Sequence, residues 1–205
     1  MAYPDFYPIA AYVGSPNYSA RTASPEAIVL HVAQGTQPGM DSWFNQIASQ
    51  VSAHFSISKT GVVHQYVWLT NAAWANGVIE AGYTAALVNE NGGMNPNRWS
   101  VSIEHEGFYP EEPTPAMFEA SVQLSAWLFK NVLLVSGATG VAVDRKHILR
   151  HGEISAVSRV NCPGWSDLTM DLYVKRVAEI LAQKPPVDQR LVQARDLLAA
   201  VIAAG

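Results

Sequence analysis

Residues Ala27–Ala33 form a short, nearly unbroken apolar run that only His31 interrupts. A short run of this kind is typical of a strand buried on both faces of a sheet. A histidine inside it is costly unless it has a partner. It lies near the carboxyl end of the predicted strand, where sites in open sheets tend to gather. At this point a hydrogen-bonded core histidine and a functional one are both compatible with the pattern.

Alternating polar and apolar positions predict three more strands. Residues 53–58 and 62–67 flank a Lys-Thr-Gly turn and are predicted to form a hairpin. Residues 99–106 alternate cleanly, which puts Glu104 and Glu106 on the same face of one strand. Such a face either meets solvent or presents a carboxylate to a site, where one of the two could act as a general base.

Helical spacing of apolar residues predicts helices over Met40–Val51, over 115–136 and over Asp167–Ala182. Asp41 is the predicted N-cap of the first helix. Thr114, which a proline follows, is the predicted N-cap of the second. Strands that alternate with helices favour an α/β fold.

The remaining segments suggest one domain with an appendage. Residues 1–26 have the composition of an irregular arm, and residues 71–97 that of a long loop, a feature that is often functional. In this loop Trp74 is either a wall for stacking against sugar or peptide or a packing anchor. We predict a single domain over 1–183, followed in 184–205 by a proline-containing linker and an amphipathic helix.

Composition excludes several classes of protein. Apolar residues make up 49% of the 205 positions and charged residues 15%, which is enough for a real core and too apolar for disorder. The net charge of −4 offers no basic footprint for nucleic acid. One cysteine cannot form an intrachain disulfide. The N-terminus lacks the features of a signal peptide and no apolar run reaches membrane-spanning length, so we expect synthesis in the cytoplasm and no membrane insertion.

The lone cysteine suggests metal chemistry. Cys162 follows His151 by eleven positions, and glycine or proline breaks regular structure after each of them. Imidazole nitrogen and thiolate sulfur are both good ligands for Zn²⁺. A histidine and a cysteine without a CxxC repeat are nevertheless a weak signal, and a buried apolar cysteine is the common alternative. A third ligand would have to come from elsewhere in the chain.

Six motifs, taken in order, resemble those of the zinc-dependent N-acetylmuramoyl-L-alanine amidase type 2 family. That family includes phage lysins, bacterial autolysins and recycling amidases, and is related to the peptidoglycan recognition proteins. The resemblance spans roughly residues 17–182. The motifs are IVLHVAQGT, VSAHFSISKTGVVHQYV, AAWANG, SVSIEHEGF, DRKHILRHGEIS and VNCPG.

The resemblance implies a mixed central β-sheet flanked by helices, with the long loop at the rim of the cleft, and a zinc site. The implied zinc ligands are His31, His151 and Cys162, which leave a fourth position for water. Glu104 matches the catalytic glutamate of the family, which takes a proton from that water and returns it to the leaving amine. Arg159 stands near the position where many relatives carry a lysine that stabilises the oxyanion.

The AAWANG motif is the predicted substrate wall. Trp74 and Asn76 are the expected substrate-binding residues, although many relatives have histidine where this chain has Ala75. The implied substrate is peptidoglycan, cut between N-acetylmuramic acid and L-alanine.

The sequences of the last two motifs are most similar to those of phage endolysins. For an endolysin, a separate phage-encoded protein permeabilises the membrane. Two alternatives stay open, a cytoplasmic amidase that recycles soluble anhydromuropeptides and a non-catalytic peptidoglycan-binding module. Modules of the second kind typically lack the cysteine ligand.

Overall fold

The computed structural model describes residues 3–133 and 141–183. The strands are β1 Ala11–Tyr12, β2 Tyr18–Ala20, β3 Ala27–Val32, β4 Phe55–Ile57, β5 Val63–Gln65, β6 Asn71–Ala73, β7 Ser100–His105 and β8 Ile148–Arg150. The α-helices are α1 Gln37–Phe44, α2 Ala86–Glu90, α3 Pro115–Leu128 and α4 Asp167–Ala182. Turns of 3-10 helix occupy Ile47–Ser49, Pro96–Arg98 and His151–Glu153.

Within the described residues, six strands form one mixed sheet in the order β1-β5-β4-β7-β3-β8. The β4–β5 hairpin is antiparallel, and every other neighbouring pair is parallel. A separate two-stranded antiparallel sheet joins β2 to β6. The predicted mixed sheet flanked by helices is therefore confirmed.

The central strand β3 is buried on both faces, as its apolar run predicts. Ile28 and Leu30 point into the main core, which β7 and the helices α3 and α4 complete. Ala27 and Val29 point to the opposite face and pack in a second, smaller cluster. Because side chains alternate along a strand, His31 lies on this second face, away from α3 and α4.

The two long helices begin at polar caps. The Thr114 hydroxyl accepts the Met117 N–H at 3.2 Å, which confirms the predicted cap of α3. The Ser166 hydroxyl does the same for Thr169 at the start of α4, also at 3.2 Å. α3 continues into a π-helical stretch over Phe129–Leu133. Its predicted end near residue 136 lies outside the described residues.

A helix is present in this region, but its predicted bounds Met40–Val51 and its predicted cap Asp41 are wrong. α1 begins three residues earlier, at Gln37, where Thr36 accepts the Gly39 N–H at 3.3 Å and a proline occupies the first turn. The carboxylate of Asp41 instead accepts the Tyr66 hydroxyl at 2.6 Å. This competing tertiary contact cannot be seen in the local pattern.

The two segments expected to be irregular contain regular elements. The arm 1–26 provides β1 and β2, and the loop 71–97 provides β6 and α2. β2 and β6 pair with each other across about fifty residues of chain, and neither has a periodic pattern long enough to indicate a strand. The linker and helix predicted over 184–205 lie outside the described residues. None of the described helices combines the length and apolar character that a membrane span requires.

Candidate metal centre and active site

Parallel pairing of β3 with β7 brings His31 and Glu104 side by side. The register places these two residues directly opposite each other near the carboxyl ends of their strands. His31 Nδ1 lies 3.7 Å from Glu104 Oε1, and only 15% of the Glu104 side chain is exposed. The histidine and the glutamate that the sequence analysis selected on these two strands therefore lie next to each other in the fold.

The other neighbour of β3 supplies the second histidine. β8 pairs with β3 up to the pair of Leu30 and Arg150. The residue after each of these is a histidine, His31 within β3 and His151 directly after β8. The rings of His31 and His151 lie with their centroids 4.4 Å apart. His151 opens a 3-10 turn, and its side chain is buried.

Cys162 lies on a loop that packs over this turn. The Gly152 N–H donates to the Cys162 carbonyl at 3.0 Å, and the Val32 N–H donates to Cys162 Sγ at 3.4 Å. A Cβ at Gly152 would lie 2.8 Å from the carbonyl oxygens of Arg159 and Val160. Only glycine therefore allows the loop to approach closely enough to bring the thiol to the two histidines.

One ligand atom from each of His31, His151 and Cys162 lies within 4.8 Å of the other two. Two nitrogens and one sulfur are a donor set that suits zinc, and three protein ligands leave a tetrahedral position open. The residues present therefore fit a catalytic zinc ion. Glu104 lies beside this cluster, as the 3.7 Å contact with His31 requires.

Burial favours the neutral forms of these four side chains in the metal-free protein. It lowers the pKa of His31 well below its usual value, with a further contribution from His151, and lowers that of His151 to about 4. It raises the pKa of Cys162 to about 12. It raises that of Glu104 to about 8, although the charge of Arg159 opposes the change. Neutral imidazole is the form that binds metals, and a bound cation would favour the thiolate and the carboxylate.

The cluster lies in a cleft of about 1150 Å³. Trp74 lines this cleft, as expected of a substrate wall, and so does Ala75. Arg159 also lines it and is exposed, at a position from which its charge acts on Glu104. The apolar lining includes the exposed side chains of Trp43, Val157 and Val160.

Asn76 does not line the cleft, contrary to the expectation that it contacts substrate. Its side chain is 1% exposed, and its Nδ2 donates to Ser100 Oγ at 2.8 Å. The neighbouring Trp74, for which its own sequence context leaves a stacking wall and a packing anchor equally open, lines the cleft. A small polar residue in a loop gives no sequence signal of whether it points outward or inward.

Two further residues at the site were missed. Glu80 accepts the N–H groups of Val157 and Ser158 at 2.7 and 2.8 Å and so holds the loop that leads to Arg159. Ser155 Oγ lies 3.3 Å from His151 Nε2. The contacts of Glu80 join residues about 77 positions apart in the chain, which no local pattern can indicate.

Comparison with known proteins shows the family of this chain and structures with a similar fold. A sequence model of the N-acetylmuramoyl-L-alanine amidase family matches residues 21–165. The chain is 27% identical over 169 residues to N-acetylmuramoyl-L-alanine amidase A of Achromobacter lyticus, which covers 75% of this chain and 86% of that protein. It also resembles the crystal structure of a selenomethionine derivative of AmpD (TM-score 0.64, 20% identity, 84% of this chain and 99% of that one). The solution structure of Citrobacter freundii AmpD is similar too (TM-score 0.55, 22% identity, 87% and 95%).

Proposed function

The chain belongs to the N-acetylmuramoyl-L-alanine amidase family and hydrolyses the bond between N-acetylmuramic acid and L-alanine in peptidoglycan, and we propose that it does so as a zinc enzyme. The proposed ligands are His31, His151 and Cys162. The observation that carries the proposal is the convergence of these three ligand atoms within 4.8 Å, beside a buried carboxyl. A zinc ion held there would lower the pKa of a water molecule and polarise the scissile carbonyl.

We assign the proton transfers of the reaction to Glu104. Its Oε1 lies 3.7 Å from His31 Nδ1, and its Oε2 is buried without a hydrogen-bond partner among the described residues. A carboxylate in this position accepts a proton from the attacking water and then donates it to the departing amine of L-alanine. Burial favours the protonated form of Glu104, which suits the second of these steps.

We assign charge stabilisation to Arg159. It lines the cleft on the same loop as Cys162, and its charge lowers the pKa values of Glu104 and His151. A guanidinium in this cleft can stabilise the oxygen anion that develops as the amide carbonyl is attacked. Arginine keeps the charge that a lysine would supply but has a different shape.

Substitution of the proposed base tests this mechanism. Glu104→Gln should retain zinc and lose about 10²- to 10⁴-fold in turnover on purified cell walls. Glu106→Gln is the matched control, because Glu106 follows on the same face of the strand but accepts the Lys59 N–H at 2.8 Å outside the cleft. Near-parental turnover of Glu104→Gln would reassign the base, and lysis that resists chelators would contradict the zinc mechanism.

We further propose that the substrate is the polymeric wall and that the protein acts as a phage endolysin. Two features support this, the resemblance of the last two motifs to lysins and the size of the cleft. At about 1150 Å³ the cleft exceeds the roughly 300–1000 Å³ of typical small-molecule pockets. In that setting a separate phage-encoded protein would permeabilise the membrane.

Substrate comparison separates this role from muropeptide recycling. An endolysin should release L-alanine amino termini from insoluble walls faster than from a soluble anhydromuropeptide at the same bond concentration. A clear preference for the soluble substrate would favour the recycling amidase instead. Binding to walls with no release from either substrate would favour the non-catalytic module.

A further inference from the structure

The outer nitrogens of the two proposed ligand histidines are buried next to polar side chains. His31 directs Nδ1 towards Glu104. His31 Nε2 and Asn76 Oδ1 are both buried, and neither has a hydrogen-bond partner among the described residues. The Asn76 side chain raises the pKa of His31, which opposes the effect of burial and agrees with an acceptor oxygen near the ring.

The orientation of the Asn76 amide follows from the groups around it. Ser100 Oγ donates its single proton to the Pro96 carbonyl at 2.6 Å, so towards Asn76 it can only accept. Asn76 must therefore present Nδ2 to Ser100, at 2.8 Å, and its oxygen to the other side. An amide oxygen can only accept, so the His31 nitrogen that faces it must carry the proton.

Ser155 is the corresponding hydrogen-bond acceptor at His151. Its hydroxyl donates to the Val78 carbonyl, which commits its only proton. Ser155 Oγ can then only accept from His151 Nε2, 3.3 Å away. Ser155 is buried, so water does not compete for this position.

We propose that Asn76 and Ser155 are positioning residues that fix His31 and His151 in the form protonated on Nε2, with Nδ1 free as the metal ligand. Both acceptors depend on the segment 76–78. Asn76 is one acceptor itself, and the Val78 carbonyl takes the proton of Ser155, which leaves Ser155 as the other acceptor. This inference rests on the proposed zinc centre. An outer acceptor on a ligating histidine also increases the basicity of the ligand and restricts the ring, so it strengthens metal binding.

The first test measures zinc affinity by competition with a chelator. Asn76→Ala and Ser155→Ala should each weaken zinc binding by about 10- to 100-fold. Ser125→Ala is the matched control, because Ser125 is a fully buried hydroxyl that contacts Tyr173 in the helical layer. A loss smaller than about threefold in the two site variants would overturn the proposal, because second-shell partners usually contribute more.

Conservative variants separate a positioning role from simple damage to the fold. Ser155→Thr keeps the accepting hydroxyl and should recover most of the affinity that Ser155→Ala loses. Asn76→Asp keeps an acceptor oxygen towards His31 but loses the donor to Ser100, so it should recover only part of the affinity that Asn76→Ala loses. If neither conservative variant recovers affinity while both unfold like the parent protein, acceptance by these side chains is not the cause.

The second test needs no variant and no metal. Nitrogen-15 spectra of histidine side chains in the metal-free parent protein should show the proton on Nε2 of both His31 and His151. Protonation on Nδ1 of either ring would overturn the proposal for that ring. A parent protein that binds no zinc would instead defeat the proposed function, so the two failures are distinguishable.

Discussion

The raised pKa of Glu104 predicts that this group contributes less stability to the metal-free protein as pH rises, and that Glu104→Gln removes this pH-dependent contribution. In the folded protein burial raises the pKa from 4.5 to about 8. Between these values the folded protein retains a proton that the unfolded chain releases. The stabilisation is therefore complete below pH 4.5, declines as pH rises and stops changing above pH 8.

The magnitude follows from the size of the shift. At about 1.4 kcal/mol per pH unit, the free energy of unfolding should fall by about 3 kcal/mol between pH 4 and pH 7 through this group alone. With 15% of the side chain exposed, solvent screening reduces this figure only modestly. Glutamine does not ionise, so the variant lacks this contribution. All other titrating groups are present in both proteins and cancel in the difference.

Urea unfolding at fixed pH values, with a chelator present, measures the effect. The stability of Glu104→Gln relative to the parent should increase by about 3 kcal/mol from pH 4 to pH 7. Two parallel curves would refute the reasoning, because they would show that Glu104 ionises in the folded protein as it does in the unfolded chain. Repeating the series with zinc should reduce the difference, since a nearby dication stabilises the carboxylate.

Three more substitutions test the centre and the loop that completes it. Cys162→Ser should retain less zinc after dialysis, because a neutral hydroxyl is a much poorer donor than a thiolate; metal analysis of the dialysed protein checks this. Gly152→Ala should lower the free energy of unfolding by about 1–3 kcal/mol, since its Cβ would lie 2.8 Å from two carbonyl oxygens; urea unfolding measures this, and unchanged stability would mean that the loop moves freely. Arg159→Lys should keep most of the turnover on cell walls that Arg159→Ala loses, since the role needs charge more than shape; equal turnover of the two variants would exclude that role.

Sequence predicted best the features that depend on local alternation. The buried run of β3 and the alternation along β7 fix which side chains share a face, and the structure places His31 and Glu104 together accordingly. The pairing of β2 with β6 could not be predicted in this way, because it joins residues far apart in the chain. The start of α1 has a local signal in Thr36 and the proline of the first turn, but apolar spacing does not include it, and Asp41, the expected cap, contacts the distant Tyr66 instead. Asn76 shows the same limit within the site, since its position relative to the cleft depends on Ser100 and not on its neighbours in sequence.

The register of the central strands determines whether this centre can exist. Because side chains alternate, a slip of one residue along β3 would turn His31 into the core beneath α3 and α4. His105 opposes such a slip from the other face. Its Nδ1 donates to the His31 carbonyl at 2.8 Å, and its Nε2 lies 2.8 Å from Ser121 Oγ of α3.

The polar contacts of His105 continue from α3 into the second long helix. Ser121 in turn contacts the hydroxyl of Tyr173 in α4 at 2.7 Å. Burial lowers the pKa of His105 to about 4, so the ring stays neutral and this pattern of donor and acceptor persists at neutral pH. The helical layer therefore holds, from behind the sheet, the backbone position whose side chain, His31, is the proposed metal ligand on the other face.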